Sequence, residues 1–174
     1  MFANSLSLLR AALLVGLAPV MMGAQGLHSN FDERLLAGHN RERAELDLAP
    51  LGWDADLARS AAQWADYLAR TGRFEHSPID YSKPLQGENI WGGTPGAYYP
   101  EAMVGLWASE KQHFKPGVFP ANSTTGEVAD ISHYTQMVWR DTRQVGCALV
   151  RGEREEILVC RYSSHGNIRG RVPF

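Results

Sequence analysis

The sequence lacks the charge pattern of a nucleic-acid-binding protein. No lysine- and arginine-rich run occurs in its 174 residues, and the formal net charge is -2. Since nucleic-acid binding depends on clustered positive charge, we expect no nucleic-acid partner. The hydrophobic content of 44% and the charged content of 21% are ordinary for a soluble globular protein. The length is typical of one domain with a sizeable core.

The sequence also lacks an apolar run long enough to cross a bilayer as a helix. Its N-terminal apolar run, residues 11–22, follows Arg10, the only charged residue of 1–24, and precedes small residues at 23–24. This pattern is typical of a cleaved signal peptide. We therefore predict a signal peptide over 1–24, a domain over 28–174 and secretion to the periplasm or the outside. An uncleaved N-terminal anchor is the alternative, and no membrane span is expected once the signal is removed.

Local catalytic and metal-binding motifs are absent as well. The sequence contains no H-E-x-x-H, no C-x-x-C and no G-x-S-x-G, although Ser77 stands beside His76. Spacing alone therefore indicates neither a local metal site nor a serine hydrolase. The only cysteines are Cys147 and Cys160. Export would permit a disulfide between them.

Capping residues and apolar periodicity predict four helices, with a long irregular segment between the second and the third. Asp54 and Gly72 are a typical N-cap and a typical C-terminal glycine, and Pro100 suits a first helical position. We expect His39, in the middle of the first helix, to be a core histidine. The predicted helices cover residues 29–46, 55–71, 100–114 and 131–140, with loops over 48–53 and 73–99.

Three short segments predict a sheet. Residues 145–150 and 156–162 form a predicted hairpin, and residues 87–91 suit one further strand. If Arg151 pairs with Glu156, Cys147 faces Cys160, so that a cross-strand disulfide becomes geometrically permitted. Both faces of the hairpin carry apolar residues, as in a sheet covered on both sides by helices. We therefore predict an α+β fold, a three-layer α-β-α sandwich around a small central antiparallel sheet.

Two polar residues stand out by their helical positions. Glu110 lies four residues after Leu106 and three after Trp107, on the predicted apolar stripe. A carboxylate facing the interior must be paired, protonated or bound, whereas one at the edge of the stripe reaches water. His133 is either a core residue or a ligand. Both alternatives stay open for each residue on periodicity alone.

The sequence resembles the CAP superfamily, which comprises cysteine-rich secretory proteins, insect antigen five venom allergens and plant pathogenesis-related proteins. The resemblance covers about residues 30–170. The matching motifs are His39-Asn40, His76-Ser77, Gly87-Glu88-Asn89-Ile90, Trp107-Ala-Ser-Glu110, His133-Tyr-Thr-Gln-Met-Val-Trp139, Val145-Gly-Cys147, and Cys160-Arg-Tyr162 followed by Gly166-Asn167.

The resemblance implies a central cleft lined by a tetrad of His76, Glu88, Glu110 and His133. It implies that the two histidines hold a divalent metal ion, zinc in the family, and that Cys147 pairs with Cys160. The chain departs from the family in having only two cysteines, with Ser164 at a position that is often proline. His165 is additional, and we interpret it as a surface residue.

The expected function is that of a secreted, monomeric binding protein rather than an enzyme. Its cleft would hold the metal and a small lipid-like or sterol-like molecule or a partner. The loop over residues 91–99 is either an apolar flap or a simple surface connection. A metal-dependent hydrolase with Glu88 or Glu110 as base is the alternative function. A purely structural metal ion is a third possibility.

Overall fold

The computed structural model describes residues 28–174, so the predicted signal peptide lies outside the described residues. No helix in this part of the chain is long and apolar enough to cross a membrane. The described residues form four α-helices, two short 3-10 helices and four strands. The α-helices are α1 (Phe31–Ala44), α2 (Ala55–Thr71), α3 (Pro100–Ser109) and α4 (Ser132–Met137). The 3-10 helices span Glu110–His113 and Val128–Asp130.

Helix α2 begins and ends where its capping residues predict. The Asp54 side chain accepts hydrogen bonds from the backbone N–H groups of Asp56 and Leu57, and Gly72 takes a left-handed conformation at the C-terminus. These contacts satisfy backbone groups that the helix itself leaves unpaired. The apolar spacing of Leu57, Ala61, Trp64 and Leu68 predicts one buried face of this helix. The structure buries Leu57, Ala61 and Leu68 together with Ala65, whereas Trp64 is only half-buried.

The third helix is shorter than predicted. Helix α3 ends at Ser109 and continues as a 3-10 turn to His113, whereas the sequence pattern predicted a helix to Phe114. The predicted stripe is also wrong at Leu106, which is exposed, because Val104 takes the buried position instead.

Helix α4 ends at Met137 instead of the predicted Arg140, and Arg43 of α1 explains why. The buried Arg43 guanidinium donates hydrogen bonds to the carbonyls of Met137 and Trp139 at 3.0 and 2.9 Å, and to Thr142 O at 3.2 Å. These carbonyls therefore bond to α1 and do not continue the helix. Burial, followed by the charge of Arg143, lowers the pKa of Arg43 to about 10.

The sheet has the order β1-β3-β4-β2. Strands β2 (Gly87–Gly93), β3 (Gln144–Arg151) and β4 (Glu156–Ser163) are antiparallel, as predicted. The two-residue strand β1 (Gly52–Trp53) pairs parallel with β3. The prediction of a loop over 48–53 is therefore wrong for residues 52–53. In the connection from α1 to α2, these two residues pair with the edge of β3 that β4 leaves free.

The register of the β3–β4 hairpin is the one predicted from the pairing of Arg151 with Glu156. Arg151 stands opposite Glu156 and Cys147 opposite Cys160. A disulfide joins the two cysteines, which are both buried. The register of the hairpin and the single cross-link are thus confirmed together.

Helices cover both faces of the sheet, so the three-layer sandwich is confirmed. On one face, α2 packs its buried residues Ala61, Ala65 and Leu68 against the strands. On the other face, α1, α3 and α4 contribute to a larger core that includes Trp107 and Met137. Helix α2 lies so close to β3 that a Cβ atom at Gly146 would stand 2.3 Å from both Ala58 N and Asp54 O.

Candidate functional site

The first half of the predicted tetrad is a tight pair formed by His76 and Glu88. His76 lies in the irregular segment after α2, and Glu88 is the second residue of β2. Oε1 of Glu88 accepts hydrogen bonds from His76 Nδ1 at 2.6 Å and from the Ser77 backbone N–H at 3.0 Å. The second oxygen, Oε2, lies 3.1 Å from a guanidinium nitrogen of Arg161, which stands opposite Glu88 on β4.

The Glu88 carboxylate is buried and charged. Its side chain is only 7% exposed. Burial raises the pKa of Glu88, but the hydrogen bond from His76, the charge of Arg161 and the Ser77 N–H together outweigh burial and hold the pKa below its ordinary value. Glu88 is therefore ionised at neutral pH. Its Oε1 accepts two N–H donors, whereas Oε2 has no hydrogen-bond partner among the described residues and lies beside the Arg161 cation.

The second half of the tetrad joins Glu110 to His133. Glu110 follows the last residue of α3, and its Oε1 accepts from His133 Nδ1 at 2.5 Å. Oε2 accepts from the backbone N–H groups of His133 and Tyr134 at 2.9 and 3.0 Å. The N-cap residue of α4 makes no side-chain hydrogen bond to the first turn of the helix. Glu110 takes over this role by accepting from the two backbone N–H groups. Of the two alternatives for this residue, the paired interior carboxylate is confirmed.

The two pairs share one geometry. Each glutamate accepts from the Nδ1 of its histidine and from a neighbouring backbone N–H, and a carboxylate only accepts, so each Nδ1 carries the proton. Within residues 28–174 the Nε2 of neither histidine has a hydrogen-bond partner. The His76 side chain is 66% exposed and the His133 side chain 30%, with its ring stacked on Trp107.

A buried polar network connects the two halves. Asn89, which follows Glu88, donates from Nδ2 to the backbone carbonyl of His133 at 3.1 Å and to the Tyr162 hydroxyl at 3.1 Å. The same hydroxyl lies 2.8 Å from Nε2 of His39, whose Nδ1 bonds to Leu35 O. The prediction that His39 is a core histidine is confirmed. Burial lowers the pKa of His39 to about 4, despite its backbone hydrogen bond.

A cavity of about 520 Å³ opens beside the first pair. Its polar walls include His76, Glu88, Arg161 and His165, and its apolar walls include Trp64, Ile79 and Leu85. His165, interpreted from the sequence as a surface residue, is half-buried and is one of the residues that line this cavity. His133 and Glu110 are not among the described residues that line the cavity.

The tetrad forms two pairs and no single cluster. Within residues 28–174, no three histidine, cysteine, aspartate or glutamate side chains are grouped closely enough to hold a metal ion. Any ion at this site would therefore depend on imidazole nitrogens and water. The donor set nevertheless fits a metal in its chemistry, because a carboxylate on Nδ1 fixes the tautomer and orients Nε2, as in known histidine–metal sites.

Sequence reasoning missed Arg161 and Arg43. Arg161 stands directly opposite Glu88 once β2 is paired with β4, so the pairing of those strands would have found it. Arg43 gave no signal, because all its hydrogen bonds go to backbone carbonyls, which every residue type carries.

The loop after β2 is held at several points. The Tyr98 ring meets Trp91 edge-on at 5.1 Å, and His28 Nε2 lies 3.2 Å from Tyr98 O. Within the loop, the Ala97 N–H donates to the Thr94 carbonyl at 3.1 Å. The segment over 91–99 therefore begins as strand and continues as an anchored loop.

The chain is similar to known proteins of one family. The family model described as "CAP: Cysteine-rich secretory protein family" matches residues 36–162. The pathogenesis-related protein PRMS of Zea mays is 34% identical over 163 residues, covering 89% of this chain and 92% of that protein. Pathogenesis-related protein 1A of Nicotiana tabacum is 33% identical over 146 residues, covering 83% and 82%.

Solved structures share the fold at lower identity. The structure titled "NaASP2 with Zn2+" matches with a TM-score of 0.68 and 20% identity, covering 91% of this chain and 90% of its own. The structure of hookworm platelet inhibitor matches with a TM-score of 0.66 and 20% identity, covering 83% and 75%.

Proposed function

The chain belongs to the cysteine-rich secretory protein (CAP) family, and from this premise we propose that it is a secreted, monomeric binding module. Its paired histidines hold a divalent metal ion at an open site, and the adjoining cavity receives a small lipid-like molecule. The observation that carries this proposal is the shared geometry of the two pairs, in which each glutamate fixes a histidine and leaves its Nε2 free.

The metal part of the proposal rests on these free nitrogens. Histidine binds metal ions as the neutral imidazole, and zinc accepts nitrogen ligands. A bound ion would supply an open coordination position for water or a ligand. With so few protein donors, the affinity is expected to be low compared with a closed four-ligand site. Zinc is the first ion to test, since a structural relative was solved with it.

The ligand part rests on the cavity beside His76. Its volume of about 520 Å³ lies in the range of small-molecule sites. Trp64, Ile79 and Leu85 provide apolar walls for an acyl or sterol-like body, while Arg161 and the histidines provide polar ends. That the loop over 91–99 acts as a flap stays a prediction, and unchanged lipid binding after shortening residues 92–97 would contradict it.

The carboxylate contacts argue against the hydrolase alternative. A general base needs an oxygen that is free to take a proton from water. Both oxygens of Glu110 accept N–H donors, and one oxygen of Glu88 accepts from His76 and Ser77. The other Glu88 oxygen accepts no hydrogen bond, but the adjacent Arg161 cation holds the pKa of the carboxyl down and makes it a weak base. We infer that the glutamates position the imidazoles, and we favour binding over catalysis.

Calorimetric titration with Zn²⁺ tests the metal site. We expect measurable binding at neutral pH, a loss of about tenfold or more in His76→Ala or His133→Ala, and unchanged binding in the control His113→Ala, whose side chain lies outside both pairs. Absence of binding in the unaltered protein would refute the metal part. Mass spectrometry of lipids that co-purify with the secreted protein tests the ligand part separately.

A further inference from the structure

Arg161 lines the cavity beside Glu88 and makes no hydrogen bond to any of the described residues. Its side chain is 12% exposed, and one of its terminal nitrogens lies 3.1 Å from Glu88 Oε2. Its Nε is fully enclosed and has no partner. A guanidinium carries five N–H donors in a planar fork. The contact with one Glu88 oxygen therefore leaves most of these donors without an acceptor.

Arg43 shows how the same chain satisfies a guanidinium that lies inside the fold. Its Nε donates to the Ala49 carbonyl at 2.8 Å, and its terminal nitrogens donate to the carbonyls of Met137, Trp139 and Thr142. Donors that are buried without a partner cost free energy, so saturation of this kind is the usual arrangement. Arg161 has no such carbonyls, and its remaining acceptors must come from the cavity.

The charge of Arg161 is also incompletely balanced. Glu88 is the nearest anion, but its other oxygen accepts from His76 Nδ1 and from the Ser77 N–H. Burial lowers the pKa of Arg161, and the charge of Glu88 raises it by less. A second negative group beside the guanidinium would therefore stabilise the cation.

The rest of the cavity wall suits an anion with one charge and an apolar body. The other two charged groups of the wall, Lys83 and Asp80, pair with each other at 3.0 Å. Apart from its histidines, the wall thus carries two cations and two carboxylates, and it does not repel a single negative charge. Trp64, Ile79 and Leu85 supply the apolar surface.

We propose that Arg161 binds the carboxylate of an amphiphilic ligand in this cavity, through the terminal nitrogens of its guanidinium. A carboxylate matches the planar fork of the guanidinium and brings only one charge. The inference rests on the ligand part of the proposed function and is independent of the metal part. It adds the head group of the ligand and the residue that recognises it.

The first test uses the unaltered protein and three probes in calorimetric titrations at neutral pH. Decanoate and 1-decanol share one apolar chain and differ in the head group, and inorganic phosphate supplies an anion without a chain. We expect decanoate to bind at least about tenfold more tightly than 1-decanol, because only the carboxylate forms charged hydrogen bonds with Arg161. Equal affinities for the two amphiphiles would refute the proposal, and so would phosphate binding as tight as that of decanoate.

The second test compares Arg161→Gln with Arg169→Gln. Arg169 is an exposed arginine with no side-chain contact in the described part of the chain, so it is the matched control. We expect decanoate to bind about tenfold more weakly to Arg161→Gln and with unchanged affinity to Arg169→Gln. The affinity for 1-decanol should be the same in all three proteins.

A readout without any variant excludes an effect of misfolding, since loss of Arg161 also removes the cation beside Glu88. In nitrogen-15 NMR of the unaltered protein, decanoate should shift the Arg161 Nε–H resonance, and 1-decanol should not. If both amphiphiles bind but this resonance stays in place, the role of Arg161 is refuted while the ligand function stands. If neither amphiphile binds, the ligand part of the proposed function fails together with this inference.

Discussion

At the scale of single residues, the two glutamates act through hydrogen bonds to histidine and to backbone. Glu110 illustrates this most clearly, because it holds the His133 ring with one oxygen and the first turn of α4 with the other. A residue that caps a helix and orients the His133 imidazole should affect the stability of the fold.

We therefore expect Glu110→Ala to lower the free energy of unfolding by about 2 kcal/mol, because two backbone N–H groups and one imidazole N–H lose their acceptor. Urea unfolding at pH 7 measures the change. Glu127→Ala is the matched control, since that exposed glutamate has no side-chain contact in the described residues. Equal stability of the two variants would contradict the capping role.

His39 makes stability depend on pH. Its pKa in the folded protein is about 4, below the ordinary value near 6.5, so between these values the unfolded chain binds a proton that the folded chain does not. Stability therefore falls as the pH decreases, by about 2 kcal/mol between pH 6.5 and 5. Urea unfolding at these two pH values should show this loss in the unaltered protein and a smaller one in His39→Gln. Identical pH dependence in both proteins would show that another group is responsible.

At the scale of elements, the backbone of α2 packs tightly against β3 at Gly146. A methyl group at Gly146 would overlap the backbone of α2, which no side-chain movement can relieve. We expect Gly146→Ala to cost at least about 2 kcal/mol of stability by forcing α2 from the sheet. Thermal and urea unfolding measure it.

Gly105 provides the control for this change. It lies inside α3, and a Cβ atom there meets nothing within 4 Å. Because alanine favours helix, Gly105→Ala should raise the free energy of unfolding by about 0.5 to 1 kcal/mol. We expect Gly146→Ala to lower the free energy of unfolding and Gly105→Ala to raise it. An unchanged free energy of unfolding in Gly146→Ala would contradict the packing argument.

The elements also show which parts of the fold are predictable from sequence. The cap of α2 and the hairpin register were predictable because local signals determine them, such as Asp54 and the facing charges of Arg151 and Glu156. The end of α4 and the strand β1 were not, because they depend on Arg43 and on the free edge of β3.

The same division applies to the candidate site. The four tetrad residues came from the family resemblance, and helical periodicity alone left open whether Glu110 faces the interior or water. The pairing of Glu88 with Arg161 and the place of His165 depend on long-range packing, between β2 and β4 and between residues 164–167 and α4. Local sequence patterns carry no information on such contacts.

At the scale of the whole molecule, one cross-link joins the two long strands at the centre of the sheet. Cys147 and Cys160 enclose a short loop, so the disulfide should contribute about 3 kcal/mol by restricting the unfolded chain. The double variant Cys147→Ala/Cys160→Ala should fold with a correspondingly lower urea midpoint. Because both cysteines are buried, a thiol reductant should act on the native protein only as fast as the protein opens. Rapid reduction of the native protein would contradict this.

The contacts of Arg43 have a consequence for the order in which the protein forms during its synthesis. Besides the nearby Ala49 carbonyl, the guanidinium binds three carbonyls that lie 94 to 99 positions further along the chain. The His39 ring bonds to a hydroxyl 123 positions further on. The first helix therefore has no complete set of partners until nearly the whole chain has left the ribosome. The core around α1 closes only after these late residues have been synthesised.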